Sequence, residues 1–263
     1  MEYIVTSLVA LFAAFLALFS GFGLGTLLTP AFIFFFPLPV AIAATAIVHL
    51  LNNVFRGVLI GKHANWRIVL KFGLPAVFAA IGGAALLGWL SRDGMPTITA
   101  YQIGPTDHVV TPVKLVIGII IVAFAFLDIL PVFQTLKFDP KYLPFGGAFS
   151  GFFGGLSGNQ GALRSAFLVK SGLSPQGFVS TNAMIVIIVD VVRLAVYGVT
   201  FYTTGFAQLG NGIYSLVAVT TLAAFLGSFL AFRYISKVTI RTIQIIVGIM
   251  LLAVGIGLAT GLI

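Results

Sequence analysis

Apolar residues run along this chain in long blocks, and polar residues gather between them. The blocks fall at about 3–36, 39–60, 68–90, 113–131, 142–170, 176–199, 212–235 and 240–261. A membrane-spanning helix needs roughly 20 apolar residues, and most blocks predict one such helix. The first and fifth are too long for a single span. Each is interrupted by glycines, SGFGLGT in one and GLSGNQG in the other, and each predicts two helical pieces around an irregular turn. Non-helical backbone at membrane depth persists only where protein or a water-filled cavity satisfies its N–H and C=O groups.

The two halves of the pattern repeat. FSGFGLGTLLTP (Phe19–Pro30) is echoed by FFGGLSGNQGAL (Phe152–Leu163). Gly25 precedes Thr45 by 20 residues, and Gly161 precedes Thr181 by the same 20. Asn53-Val-Phe-Arg56 is echoed by Asp190-Val-Val-Arg193, and VIGII at Val116 by IVGIM at Ile246. Duplicated units with interrupted segments in matching places predict a secondary transporter whose site lies between the halves. The expected division is residues 1–135 and 136–263, within one integral membrane unit.

Charge orients the halves. Basic loops lie at 61–71 (Lys62, Arg67, Lys71), 132–141 (Lys137, Lys141) and 233–241 (Arg233, Lys237, Arg241), whereas 200–211 carries no charge. Basic loops face the cytoplasm. All three do so if the fifth block re-enters, returning to the side it came from. Treating the first block alike gives each half a re-entrant hairpin plus three spans, and an odd number of spans inverts the second half. The expectation is an all-α polytopic membrane protein of two inverted repeats, with both termini outside; a first block that crosses once would put the N-terminus inside.

Composition agrees. Of 263 residues, 60% are hydrophobic and 8% charged, with mean hydropathy +1.15; a soluble domain carries about 25% charged residues. The net charge of +8 is scattered among short loops, so it reads as a topology signal and not as a nucleic-acid surface. There is no Cys, which removes disulfides, thiolate catalysis and Cys metal sites. The opening run MEYIVTSLVALFAAFLALF has an acidic residue and no basic one before its apolar stretch, and is expected to be a retained membrane segment. GxxxxGK[ST], HxxxH and HExxH patterns are absent, against an ATP-driven pump or a zinc protease. The acids inside the spans are too few for a paired-carboxylate mechanism. Neither a cofactor nor a metal is implied.

The chemistry concentrates at the interruptions. A helix starting near Ala162 presents unpaired N–H groups and about half a positive charge, and neighbouring glycines let a ligand approach. That arrangement suits an anion. Asn159, Gln160, Gly161 and Arg164 compose the second candidate, and Gly23, Gly25 and Thr26 the first. The plainer alternative is tight helix packing with Arg164 reaching to the interface. Arg56 and Arg193 hold equivalent places near span ends, and Asp190 stands one turn before Arg193, in reach for pairing; Arg193, with Asn52 and Asn53, is a candidate to bind the substrate, against the plainer readings of a snorkelling Arg56 and a structural Asp190–Arg193 ion pair. His49, Asn52 and Asn53 lie on the second span, where His49 and Asn53 share a face. His49 fits a proton carrier or, more plainly, a hydrogen-bonded packing residue. Asn182, after the second hairpin, is placed to reach the pocket. Asp128 near the end of the fourth span reads as interfacial, and Trp66 and Trp89 as interface anchors.

Duplicated Gly-rich segments, each followed about twenty residues later by an ATS-like triplet (AATA at Ala43–Ala46, VSTN at Val179–Asn182), resemble the TauE/SafE family of sulfite and organosulfonate transporters. GLSGNQGALRSAFLVKSGLS and DVVRLAVYG carry the resemblance most closely. In the first repeat GFGLGTLLTP stands where the family usually shows a GxGGG-type run before its Pro. The resemblance implies a membrane permease for sulfite, sulfonate or thiosulfate-like anions. The expectation is therefore a cell-membrane, multi-pass secondary transporter with a small anionic substrate. Alternatives are an anion channel with the same site, or a non-transport membrane protein. Export runs down an inside-negative potential, whereas uptake calls for a coupled H⁺ or Na⁺. A homodimer is compatible with this plan.

Overall fold

The computed structural model describes residues 1–20, 24–201, 212–233 and 240–263. Gly23 and the loops at 202–211 and 234–239, with Lys237, lie outside the described residues. The chain runs α1 (Glu2–Ser20), α2 (Leu24–Ile33), α3 (Leu38–Ile60), α4 (Trp66–Leu90), β1 (Thr99–Ile103), β2 (Thr106–Val110), α5 (Pro112–Ile129) and α6 (Pro131–Gln134). It continues as α7 (Leu143–Ser157), α8 (Gly161–Leu168), α9 (Pro175–Phe201), α10 (Gly212–Arg233) and α11 (Ile240–Thr260). Among the described residues five helices are long and apolar enough to cross a membrane: the one that includes α3, then α4, α5, α9 and α10. This is an all-α polytopic membrane protein.

Local chemistry sets the boundaries. Asn65 caps α4 by accepting the Ile68 N–H (3.2 Å). Thr111 caps α5 by accepting the Lys114 N–H (3.4 Å), with Pro112 in the first turn where its missing N–H is harmless. Ser174 Oγ accepts the Gly177 N–H at the start of α9 (3.1 Å). The fifth apolar block divides into α7 and α8 as expected, and the first into α1 and α2.

Helix pairing is exchanged between the halves. α1 lies along α10 and α7 along α4, while α3 meets α9 and α5 meets α11. The α4–α7 seam is unusually close. A Cβ built on Gly147, Gly151 or Gly155 would stand 2.1, 2.1 or 2.2 Å from the carbonyl oxygens of Phe72, Ala76 and Ala80. These glycines recur every four residues, one turn apart on a single face, and the backbones touch there. Small residues at such seams are how membrane helices gain van der Waals contact when lipid is as apolar as leucine.

One element was absent from the sequence reading. The 91–112 loop contains the antiparallel β1–β2 hairpin, with Tyr101 opposite His108. Gly104 turns it at φ +60°. Tyr101 Oη donates to the Thr260 carbonyl (2.6 Å), so the hairpin sits over the end of α11, where helix carbonyls lack intrahelical donors.

Candidate functional site

The break between α7 and α8 follows from Gly158, whose φ of +77° ends α7 in a left-handed cap. Its N–H bonds the Gly154 carbonyl (3.1 Å). Asn159 N–H then donates to Ser157 Oγ (3.3 Å), and Gln160 precedes the first turn of α8 without a side-chain cap bond. The Gln160 side chain turns back to α7, where its Oε1 accepts the Ser150 hydroxyl (3.1 Å). The first-turn amides of α8 have no intrahelical acceptors.

The start of α2 meets the second interruption. A Cβ on Gly25, near the start of α2, would lie 3.4 Å from the Gly158 carbonyl and 3.7 Å from Thr45 Cγ2. Beneath the turn is Arg193 of α9, whose Nη1 would be 2.9 Å from a Cβ on Gly158 and which donates to the Gly154 carbonyl (3.0 Å). Arg193 also contacts Asp190, Nη2 to Oδ1 at 2.8 Å. The two side chains form a buried ion pair one helical turn apart. The other carboxylate oxygen of Asp190 lies 2.7 Å from His49 Nδ1 on α3. Asp190 and Arg193 are both 0% exposed. Tyr197, one turn further along α9, donates its hydroxyl to the Gly155 carbonyl.

Arg164 of α8 is 2% exposed, so it does not reach out to an interface. Its Nε donates to Asn182 Oδ1 on α9, and it lies within electrostatic reach of Asp190 and Arg193. Asn182 follows Ser180 and Thr181, which do different work: Ser180 Oγ donates to the Ile60 carbonyl (2.7 Å) and Thr181 Oγ1 accepts the Asn65 N–H (2.9 Å). Two residues of the triplet thus hold the α3–α4 link, and the third holds Arg164.

A second polar chain lies on α3. Arg56 donates to Ser228 Oγ on α10 (3.0 Å) and to the Ala14 carbonyl on α1 (2.7 Å). Ser228 donates in turn to Asn52 Oδ1 (2.8 Å). Asn53 Nδ2 bonds the His49 carbonyl four residues back (2.8 Å). Arg56 and Arg193 therefore do the same mechanical job, each pinning its span to the first helix of a broken pair. The partners of Arg56 described here are neutral groups, because Asn53 stands where the second half has Asp190.

Several buried polar atoms have no protein partner among the described residues: Arg164 Nη1, Gln160 Nε2, Asn159 Oδ1, Asn52 Nδ2 and Thr45 Oγ1. A polar group left so costs about 1–3 kcal/mol, more when charged. The buried charges of α3, α8 and α9 are the guanidiniums of Arg56, Arg164 and Arg193 against the carboxylate of Asp190. The site is positive, buried and incompletely hydrogen-bonded.

The predicted residues thus fall into two groups. Gly25, Asn159, Gln160, Gly161, Arg164, Asn182 and Arg193 gather where the α7–α8 break meets the start of α2, with His49 and Asp190 behind. Thr26 is buried in the first turn of α2, and Asn52, Asn53 and Arg56 belong to the α3–α10 chain. Sequence reasoning missed Ser150, Tyr197 and Ser228. Their only signal was polarity inside apolar or glycine-rich helices, which packing serines share.

Broken helices around a buried polar centre recur among secondary transporters. A model of the sulfite exporter TauE/SafE family matches residues 6–258, nearly the whole chain, and the protein belongs to that family. Neither a curated protein nor a solved structure matches it. Membership identifies a multi-pass membrane transporter of the kind that moves sulfur-containing anions.

Proposed function

We propose that this protein is a secondary transporter that carries a small sulfur oxyanion or sulfonate across the cell membrane, binding it where the α7–α8 break meets the start of α2. One observation carries the reading: on the short helix α8 the buried Arg164 keeps Nη1 without an acceptor among the described residues, and Gln160, just before the first turn of that helix, keeps Nε2 without one. A sulfite or sulfonate offers oxygens to a guanidinium fork as a carboxylate or phosphate does, and the helix terminus adds amide donors. Asn182 holds Nε and so aims the rest of the guanidinium.

The exchanged pairing of α1 with α10 and α7 with α4 supports two inverted halves, divided near residue 135, that rock about the site. Outward movement of the anion is favoured by about 2.3 kcal/mol per charge per 100 mV of inside-negative potential, so export requires no other ion. The test is reconstitution into vesicles loaded with radiolabelled sulfite, taurine or thiosulfate. Saturable flux, inhibited by unlabelled anion, is expected. Flux equal to that of empty vesicles for every anion would sink the reading, and single-channel currents would replace it with a channel.

A further inference from the structure

A cavity of about 460 Å³ lies against α8 on the face turned away from Asn182. Small-molecule sites run from about 300 to 1,000 Å³. Leu163, Ala166 and Phe167 of α8 form one wall, and Leu127, Phe138 and Phe149 stand among the others. Every lining residue is Ala, Leu, Phe or Tyr, so the interior suits hydrocarbon and not the anion. Phe145 and Phe149, at the α7 edge, are also exposed on the outer surface of the helices, where the surrounding medium is lipid.

The neighbouring polar end is basic. Lys137 stands between Leu136 and Phe138 of the lining, and Lys141 holds its ammonium 5.0 Å over the ring of Tyr142, itself a lining residue. The Phe138 N–H bonds the Ala166 carbonyl (3.1 Å), which lays this segment against α8, four residues before the exposed Lys170. Asp139, the acid of this loop, spends an oxygen on the Lys141 N–H (2.9 Å). The sequence places this loop on the cytoplasmic side, where the leaflet carries anionic lipids.

We infer that this cavity takes one acyl chain of an anionic phospholipid, whose phosphate is held by Lys137 and Lys141. The chain packs on the back of α8, the short helix that carries Arg164 and is bracketed by the positive-φ glycines Gly158 and Gly172. Occupancy then steadies the position of Arg164, a consequence that rests on the anion-binding reading above; lipid binding itself does not.

Native mass spectrometry of the purified protein with phosphatidylglycerol or phosphatidylcholine tests it without any transported anion. One phosphatidylglycerol should be retained in preference to phosphatidylcholine. Each of Lys137→Gln and Lys141→Gln should lower that preference by about fivefold. Ala166→Phe, which fills the cavity, should abolish retention of the tightly held lipid in protein that stays monodisperse; Ala162→Leu serves if that variant misfolds. Equal retention of both lipids by the wild type, unchanged retention in the filled variants, or a stable dimer that covers the cavity would each overturn the inference. Absence of anion transport by wild-type protein that retains the lipid would instead count against the anion site alone.

Discussion

His49 Nδ1 lies 2.7 Å from Asp190 Oδ2, joining α3 to α9 across 141 residues of sequence. Asp190 thereby faces a histidine from one half of the chain and an arginine from its own helix. Breaking such a buried arrangement from one side strands a charge, at about 3–5 kcal/mol, while removing both members of a pair costs less. Asp190→Asn is expected to lower folded yield sharply, and Asp190→Asn with Arg193→Gln to recover part of it, read by size-exclusion profile and thermal unfolding in detergent. His49→Gln keeps an amide donor toward Asp190 and should lose much less. A double variant as unstable as the sum of its singles would mean the charges do not compensate each other.

Arg164 provides the sharpest test of the anion site. Arg164→Lys keeps the charge and loses the fork, so it should bind more weakly than wild type and more tightly than Arg164→Ala. Loss of one charged hydrogen bond is worth about 1.5–3 kcal/mol, roughly ten- to a hundredfold in affinity. Calorimetric titration of sulfite into the purified proteins measures this. Wild-type affinity in well-folded Arg164→Ala protein would remove Arg164 from the site.

Asn182 should act through Arg164. Asn182→Ala removes the acceptor of Nε and frees the guanidinium to turn, so anion affinity should fall by about tenfold. In an Arg164→Ala background the same change should add little, because interacting residues are non-additive. Full additivity in this double-variant cycle would separate the two residues.

The α4–α7 seam predicts opposite outcomes for two glycines. Gly151→Ala places a methyl 2.1 Å from the Ala76 carbonyl and should destabilise by about 1–3 kcal/mol or more, since backbone cannot give way like a side chain. Gly73→Ala on α4 meets nothing within 4 Å and should be neutral or stabilising by up to about 1 kcal/mol. Thermal unfolding of both variants in one detergent distinguishes them.

Membrane sidedness can be read at two described, exposed positions. The charge pattern puts Lys141 inside and Asp107 of the β-hairpin outside. In this Cys-free chain, a Cys at 107 should label with an impermeant maleimide on intact cells, and one at 141 only after permeabilisation. The reverse pattern would overturn the inverted arrangement.

Local features of the fold were legible in the sequence, and long-range ones were not. Glycine clusters inside over-long apolar blocks marked both breaks, because only glycine tolerates a turn such as that at Gly158. The pairing of Asp190 with Arg193 followed from three-residue spacing on a helix. The meeting of His49 with Asp190, and of Arg56 with Ser228, depends on which helices pack together, and no spacing encodes that. The equivalence of Arg56 and Arg193 was readable; their unlike partners, Ser228 and the Ala14 carbonyl for one and Asp190 and the Gly154 carbonyl for the other, depend on the packing. The β-hairpin at 99–110 is not legible in the sequence because its strands lie in a mixed-charge loop between two spans, with no alternating apolar pattern to mark them.

The exchange of helix partners has a consequence for how the protein is made. A ribosome delivers α1 long before α10, and α4 before α7, so during synthesis the narrow backbone-contact faces of the first half enter the membrane with no one to meet. α1 waits until about residue 233 has been inserted. A nascent chain stopped after residue 135 therefore carries open seams, the exposed packing surface that makes incomplete chains prone to misassembly.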